Sequence, residues 1–147
     1  MICIIMIKLT HLLNEITAKS DEFDYKPLFK SLIEYMLEEE MNILPLPKVK
    51  FIDNDTSNAE DFFGKTAYYR PDSNLIALYT LNRHPKDVMR SFAHEMIHHE
   101  QKCDGRIGGG RIKTKDINED NYLKQIEEEA YKKGNIMFRG WTNKIKK

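Results

Sequence analysis

Residues 85–102, PKDVMRSFAHEMIHHEQK, restrict the possible folds more than any other stretch of the chain. Pro85 stands where a helix can begin, because a proline at the first helical position gives up only an amide that would be unpaired anyway. At about 100° per residue, Met89, Ala93, Met96 and Ile97 fall on one apolar stripe. His94 and His98 fall beside that stripe, and Glu95 lies further round. Such a helix needs a hydrophobic core beneath the stripe and a cleft along its flank. The spacing predicts a helix from Pro85 to about Lys102. His99 points about 100° away from His98, so solvent or a supporting role behind its neighbours is expected of it. Glu100 falls near the stripe, and the sequence offers no reason for a carboxylate there.

The other elements follow from similar signals. Residues 26–42 predict a helix, with Pro27 near its start, Leu28, Leu32, Tyr35 and Met36 at helical spacing, and Pro45 and Pro47 closing it. Residues 7–18 carry a weaker helical pattern. Lys48–Ile52 reads as a strand. Two further β-like runs, 65–70 and 75–80, flank Pro71-Asp72-Ser73-Asn74, which is turn chemistry, so a hairpin is predicted. Gly105, Gly108, Gly109 and Gly110 mark a loop over 104–120 that lacks the Gly-Lys-Ser/Thr ending of a phosphate loop. A last helix is predicted over about 121–138. The order predicts one α+β domain spanning 1–147, with helices around a short, mainly antiparallel sheet. Its expected parts are N-terminal helices at about 7–42, a core at about 47–138 and a solvated basic tail at 139–147.

Composition narrows the function classes. The chain has 147 residues with 23 basic and 23 acidic side chains, so no net field draws it to nucleic acid or to an anionic membrane. The two cysteines, Cys3 and Cys103, are too few and too far apart in sequence for a disulfide framework or a thiolate zinc site, and reduced thiols are expected. The opening MICIIMI lacks a basic flank and a cleavage site, and it is too short to span a bilayer. A cytoplasmic protein is the expectation.

The chemistry lies in His94-Glu95-Met96-Ile97-His98. Two histidines four apart on a helix present both imidazoles on one face, one turn apart, where both can reach one Zn²⁺ at about 2.0–2.1 Å. Glu95, one residue round, sits beside that metal rather than on it. There it can take a proton from a water whose pKa the metal lowers to about 7. With five histidines in the chain, this pattern is expected by chance only roughly 0.015 times. One Zn²⁺ per chain is therefore expected, held in part by His94 and His98, with Glu95 as general base.

A third ligand is needed. The longer motif carries a glycine three residues and a histidine six residues after the second histidine, and this chain has Gln101 and Asp104 there. Asp104 is itself a possible carboxylate ligand, although the turn returning it to the metal calls for glycine where Gln101 stands. The other source is Glu127-Glu128-Glu129 on the last helix. Leu123, Ile126, Ala130, Gly134, Met137 and Trp141 define the buried stripe of that helix. Relative to Ala130, Glu127 lies about 60° round, Glu129 about 100° the other way and Glu128 about 160° away. Glu127 is best placed to meet another helix, Glu129 is the reserve, and Glu128 should be solvated. A plain acidic surface patch is the alternative for all three.

With these residues in view, the chain resembles the zincins, the HExxH zinc metallopeptidases. It looks most like the small gluzincins, whose third ligand is a glutamate on a later helix. Glu127-Glu128-Glu129-Ala130-Tyr131 is similar to the Glu-x-x-Ala-Asn/Asp end of ImmA/IrrE-like peptidases, with Tyr131 as a departure. A hairpin followed by HEMIH also resembles SprT-like domains, several of them in phages, although their later histidine is missing here. The likeness covers about residues 65–138. It implies a zincin-like fold and a protein or peptide substrate added as a strand to a sheet edge, for which residues 75–80 are the candidate. It also offers Tyr131 and Tyr122 as candidates for stabilising an oxyanion. If the chain is phage-encoded, its compartment would be the host cytoplasm. A non-catalytic zinc-containing binding or regulatory module on the same scaffold is the alternative function. A DNA-associated protease is a third, to which the balanced charge lends nothing.

Overall fold

A computed structural model describes residues 23–60, 66–107 and 117–146, apart from the side chains of 59, 60 and 117–120. The predicted helix at 7–18, Cys3 and the glycines 108–110 lie outside the described residues. In chain order the elements are α1 (Lys26–Glu38), β1 (Lys48–Ile52), α2 (Thr56–Glu60), β2 (Ala67–Arg70), β3 (Leu75–Tyr79), α3 (Pro85–Cys103) and α4 (Ile117–Ile145). The class is α+β, as expected. Among the described residues no helix is long and apolar enough to cross a membrane.

The sheet is mixed rather than mainly antiparallel. Its order is β1-β3-β2, with β3 parallel to β1 and antiparallel to β2. The hairpin forms where expected, turning at Asn74 with φ 52°, a left-handed conformation that asparagine tolerates. Residues 75–80, the expected edge, instead supply the central strand, β3. The reason is legible in Leu75-Ile76-Ala77-Leu78-Tyr79. A run without polar alternation suits a strand covered on both faces, and Ile76, Ala77 and Leu78 are fully buried. The edges among the described residues are β1 and β2.

Helix α1 buries Phe29, Leu32, Ile33 and Met36, a stripe turned slightly from the predicted one, with Leu28 and Tyr35 at its margins. It stops before the prolines. Glu40 takes φ 64°, its amide bonds to Leu37 O and the amide of Met41 bonds to Met36 O. This pair of reverse bonds satisfies two carbonyls the helix end would leave open. Stacked rings of Phe29, Phe51 and Phe92 join α1, β1 and α3.

Helix α3 is the axis of the molecule, packing on β2 and β3 on one side and on α4 on the other. His84 caps its start, accepting from the amide of Lys86 at 3.0 Å. Arg83 staples that end to the sheet through Thr66 O and Tyr79 O. Helix α4 extends beyond the predicted 138. Trp141 is buried and donates to Ser31 Oγ at 2.8 Å, and Lys144 pairs with Glu38. The segment read as a solvated tail is thus helical as far as Ile145 and buries Trp141 beside α1, while Asn143, Lys144 and Ile145 stay exposed.

Candidate metal centre

The central position of α3 buries residues that would normally be solvated. Glu95, His98, His99, Glu100 and Gln101 are all less than 9% exposed, and each buried polar group needs a partner. Glu100 accepts from the amide of Asn42 at 2.9 Å and pairs with Lys133 of α4, which accounts for a carboxylate beside the stripe. His99 is not in solvent. Its Nε2 faces Ile43 O at 3.0 Å and Pro45 O at 2.7 Å. Both are acceptors, so Nε2 carries the proton and Nδ1 accepts from the Tyr69 hydroxyl at 2.9 Å. His99 ties the loop after α1 to α3 and β2, and burial lowers its pKa and keeps it neutral.

On the adjacent flank, His94 and His98 stand one turn apart with ring centres 5.1 Å from each other. Glu127 reaches them from α4. One of its oxygens lies 3.2 Å from His98 Nε2 and the other 3.7 Å from His94 Nε2. One ligand atom from each of the three residues falls within 4.8 Å of the others. Two ligands of a tetrahedral zinc at about 2.0–2.1 Å lie roughly 3.3 Å apart, close to both Glu127 separations. The helices can approach this closely because Gly134, two turns past Glu127, lies against the backbone of His94. A Cβ there would stand 3.1 Å from His94 Cα.

The protonation of His98 tests whether a cation fits. Gln101 Nε2 donates to Ile126 O at 3.0 Å and to Glu129 Oε1 at 3.3 Å. Those partners only accept, so the other end of the amide, Oε1, faces His98 Nδ1 at 2.8 Å. Nδ1 must then carry a proton, which leaves Nε2 bare in the neutral ring. A bare Nε2 opposite a carboxylate oxygen is a pair of acceptors that a ring proton or a metal cation between them would satisfy. Burial and the neighbouring His98 lower the pKa of His94, outweighing the attraction of Glu127, so His94 favours the neutral form that ligates metal. The donor set, two imidazoles and a carboxylate, is one that Zn²⁺ takes.

Glu95 shares this flank. Burial, with the negative charge of Glu127 second, pushes its carboxyl up to about 7, near the range useful to a general base at neutral pH. A cleft of about 520 Å³ opens beside it, lined by Ala67, Tyr68 and Tyr69 of β2, Glu95 and His98 of α3, and Leu123, Ile126 and Glu127 of α4. An edge strand, a candidate base, His98 and Glu127 therefore border one space.

The other candidates separate cleanly. Asp104 is exposed at the end of α3 and accepts from Asn42 Nδ2 at 2.9 Å, outside the group. Glu129 is held by Arg106 and Gln101. Glu128 is exposed, as its position on the helix predicts. Tyr122 donates its hydroxyl to Arg106 O, and Tyr131 is 66% exposed. Cys103 is a free thiol. Sequence reasoning takes Gln101 only as a missing glycine. The signal for its role is its spacing of three from His98, since such side chains face each other on a helix.

A scan against protein-family models, a search of curated proteins and a search of solved structures each return no match for this chain.

Proposed function

We propose that this chain is a zinc-dependent metallopeptidase of the HExxH type, with His94, His98 and Glu127 holding the metal and Glu95 acting as general base. The observation that carries the reading is the convergence of two helices: α3 brings both imidazoles, α4 brings Glu127 to them, and His98, Glu95 and Glu127 line one cleft. Bound zinc would supply Lewis acidity, polarising a carbonyl and acidifying a water. The residues of the chain supply the rest. His94 and His98 present neutral nitrogens, Glu127 contributes the negative charge, and Glu95 accepts a proton from the attacking water. The cleft excludes part of the bulk solvent around that transfer.

The substrate we propose is a protein or peptide segment lying along β2. Among the described residues, one side of this strand pairs with β3 and the other is an edge, so its free amides and carbonyls can take an added strand. This replaces the edge expected at residues 75–80. The zincin fold and the gluzincin arrangement of ligands belong to the same proposal.

Purification without chelators followed by elemental analysis should give about one zinc per chain, as a single three-ligand site requires. Glu95→Gln should retain the zinc and lose hydrolysis of an unfolded protein substrate. No bound metal in the wild-type chain, or undiminished hydrolysis by Glu95→Gln, overturns the reading. If zinc is bound but its fourth position is closed by a protein side chain, the module is structural.

A further inference from the structure

Beyond the ligands and the base, the turn that ends α3 is tied to His98 through a chain of side chains. Gly105 takes φ 76°, its amide bonds to Lys102 O, and the amide of Arg106 bonds to Gln101 O. This reversal of the chain needs a residue tolerant of the left-handed region, and it aims Arg106 back at α4. Arg106 Nη1 donates to Glu129 Oε2 at 2.9 Å, and Nη2 pairs with Oε1. Glu129 in turn accepts from Gln101 Nε2, and Gln101 Oε1 accepts from His98 Nδ1. The chain of bonds therefore runs from a backbone turn to a ligand ring.

We propose that Gln101 is a positioning residue for the metal, fixing His98 with its proton on Nδ1 and its Nε2 bare, and that the Glu129–Arg106 pair at the Gly105 turn holds the Gln101 amide in the orientation this requires. The proposal rests on the metal reading above. The amide can turn over, and the flipped form would place NH₂ against His98 Nδ1, favouring the proton on Nε2 and blocking the ligand nitrogen. Three contacts oppose that flip, since Ile126 O and the Glu129 carboxylate would each lose a donor and His98 would lose its acceptor. The same triad explains why Glu129, although acidic and near the site, is not the third ligand. Its charge is already matched by Arg106.

The test has two readouts on folded, full-length protein. Long-range ¹H–¹⁵N spectra of the metal-free chain above neutral pH report which ring nitrogen of His98 carries the proton. Competition with a chromophoric chelator reports zinc affinity. The wild type should show a single His98 tautomer, protonated at Nδ1. Gln101→Met should give a mixture and lower zinc affinity by about 10–100-fold, the usual effect of removing such a partner. Exchanging the two groups, Gln101→Glu with Glu129→Gln, keeps an acceptor for His98 and should restore the tautomer and bring affinity within a few-fold of wild type. Glu129→Gln alone should lower affinity by less than about 10-fold, and it keeps the test open if Gln101→Met does not fold. An unchanged tautomer and affinity in folded Gln101→Met, or a wild-type His98 protonated at Nε2, overturns the proposal. A wild-type chain that takes up no zinc overturns the reading of the site itself and the proposal with it, whereas a mixed tautomer in a zinc-binding wild type overturns the role of Gln101 alone.

Discussion

Replacing Glu95 by glutamine should stabilise the metal-free protein above neutral pH. The carboxyl sits at about 7 in the folded chain against 4.5 for the free group, because burial and Glu127 both disfavour its charge. Between those two values the folded state holds a proton that the unfolded chain has released. Stability therefore falls as pH rises through this window, is highest below about 4.5, and levels off above about 7. At about 1.4 kcal/mol for each pH unit across that window, the full penalty is about 3 kcal/mol. Glu95→Gln keeps the size and polarity of the side chain and removes the titration. Urea denaturation of both proteins in chelator, from pH 4 to pH 8, isolates the effect as a difference. Near pH 4 the two should agree within about 1 kcal/mol. Near pH 8 the variant should lead by up to about 3 kcal/mol, or roughly 6–12 °C in Tm. Zinc should shrink that lead, since a nearby dication favours the ionised carboxylate. A difference that does not change with pH would refute the assignment of Glu95 as a buried, destabilised carboxylate.

Other substitutions address the supports of the site. Gly134→Ala forces a Cβ to within 3.1 Å of His94 Cα; overpacking of about 1–3 kcal/mol should exceed the roughly 1 kcal/mol gained in helix propensity, and urea melts with zinc titration should show lower stability together with weaker binding. His99→Leu removes the donor to Ile43 O and Pro45 O and should cost about 3 kcal/mol by chemical denaturation, with Tyr69→Phe costing about 1 kcal/mol. Lys133→Met strands the buried carboxylate of Glu100 and should cost about 2–3 kcal/mol, less than for a fully buried pair because Lys133 is partly exposed; adding Glu100→Gln should recover most of the loss in the same assay.

The sequence conveyed what is periodic and local. Helix α3, the hairpin and β1 stand where the pattern placed them, because Pro85, the Pro71–Asn74 turn and the valine and phenylalanine of Lys48–Ile52 act over a few residues. Helical angle alone pointed to Glu127 over its two neighbours, and the structure brings Glu127 to both histidines. What pattern did not convey depends on distant partners. The parallel pairing of β1 with β3 is a choice of strand order that neither segment encodes alone, so residues 75–80 are expected at an edge despite an unbroken apolar run that suits a central strand. The burial of His99 and Glu100 rests on Ile43, Pro45, Tyr69 and Lys133, tens of residues away in sequence. The length of α4 was underestimated because lysines near the end suggested solvent, while Phe138 and Trp141 needed a covering helix.

The close contact at Gly134 also works as a fulcrum. Glu127 lies seven residues away on the same helix, a lever arm of roughly 10 Å at 1.5 Å per residue. A tilt of α4 by about 5° about that point would move Glu127 by about 1 Å, a displacement large enough to matter for chemistry at such a site. The position of the Glu127 carboxylate is therefore set less by its own surroundings than by how firmly α4 seats two turns further on. Trp141 and Phe138 lie on the far side of the same fulcrum, so the apolar grip on α1 helps to aim a carboxylate that neither residue touches.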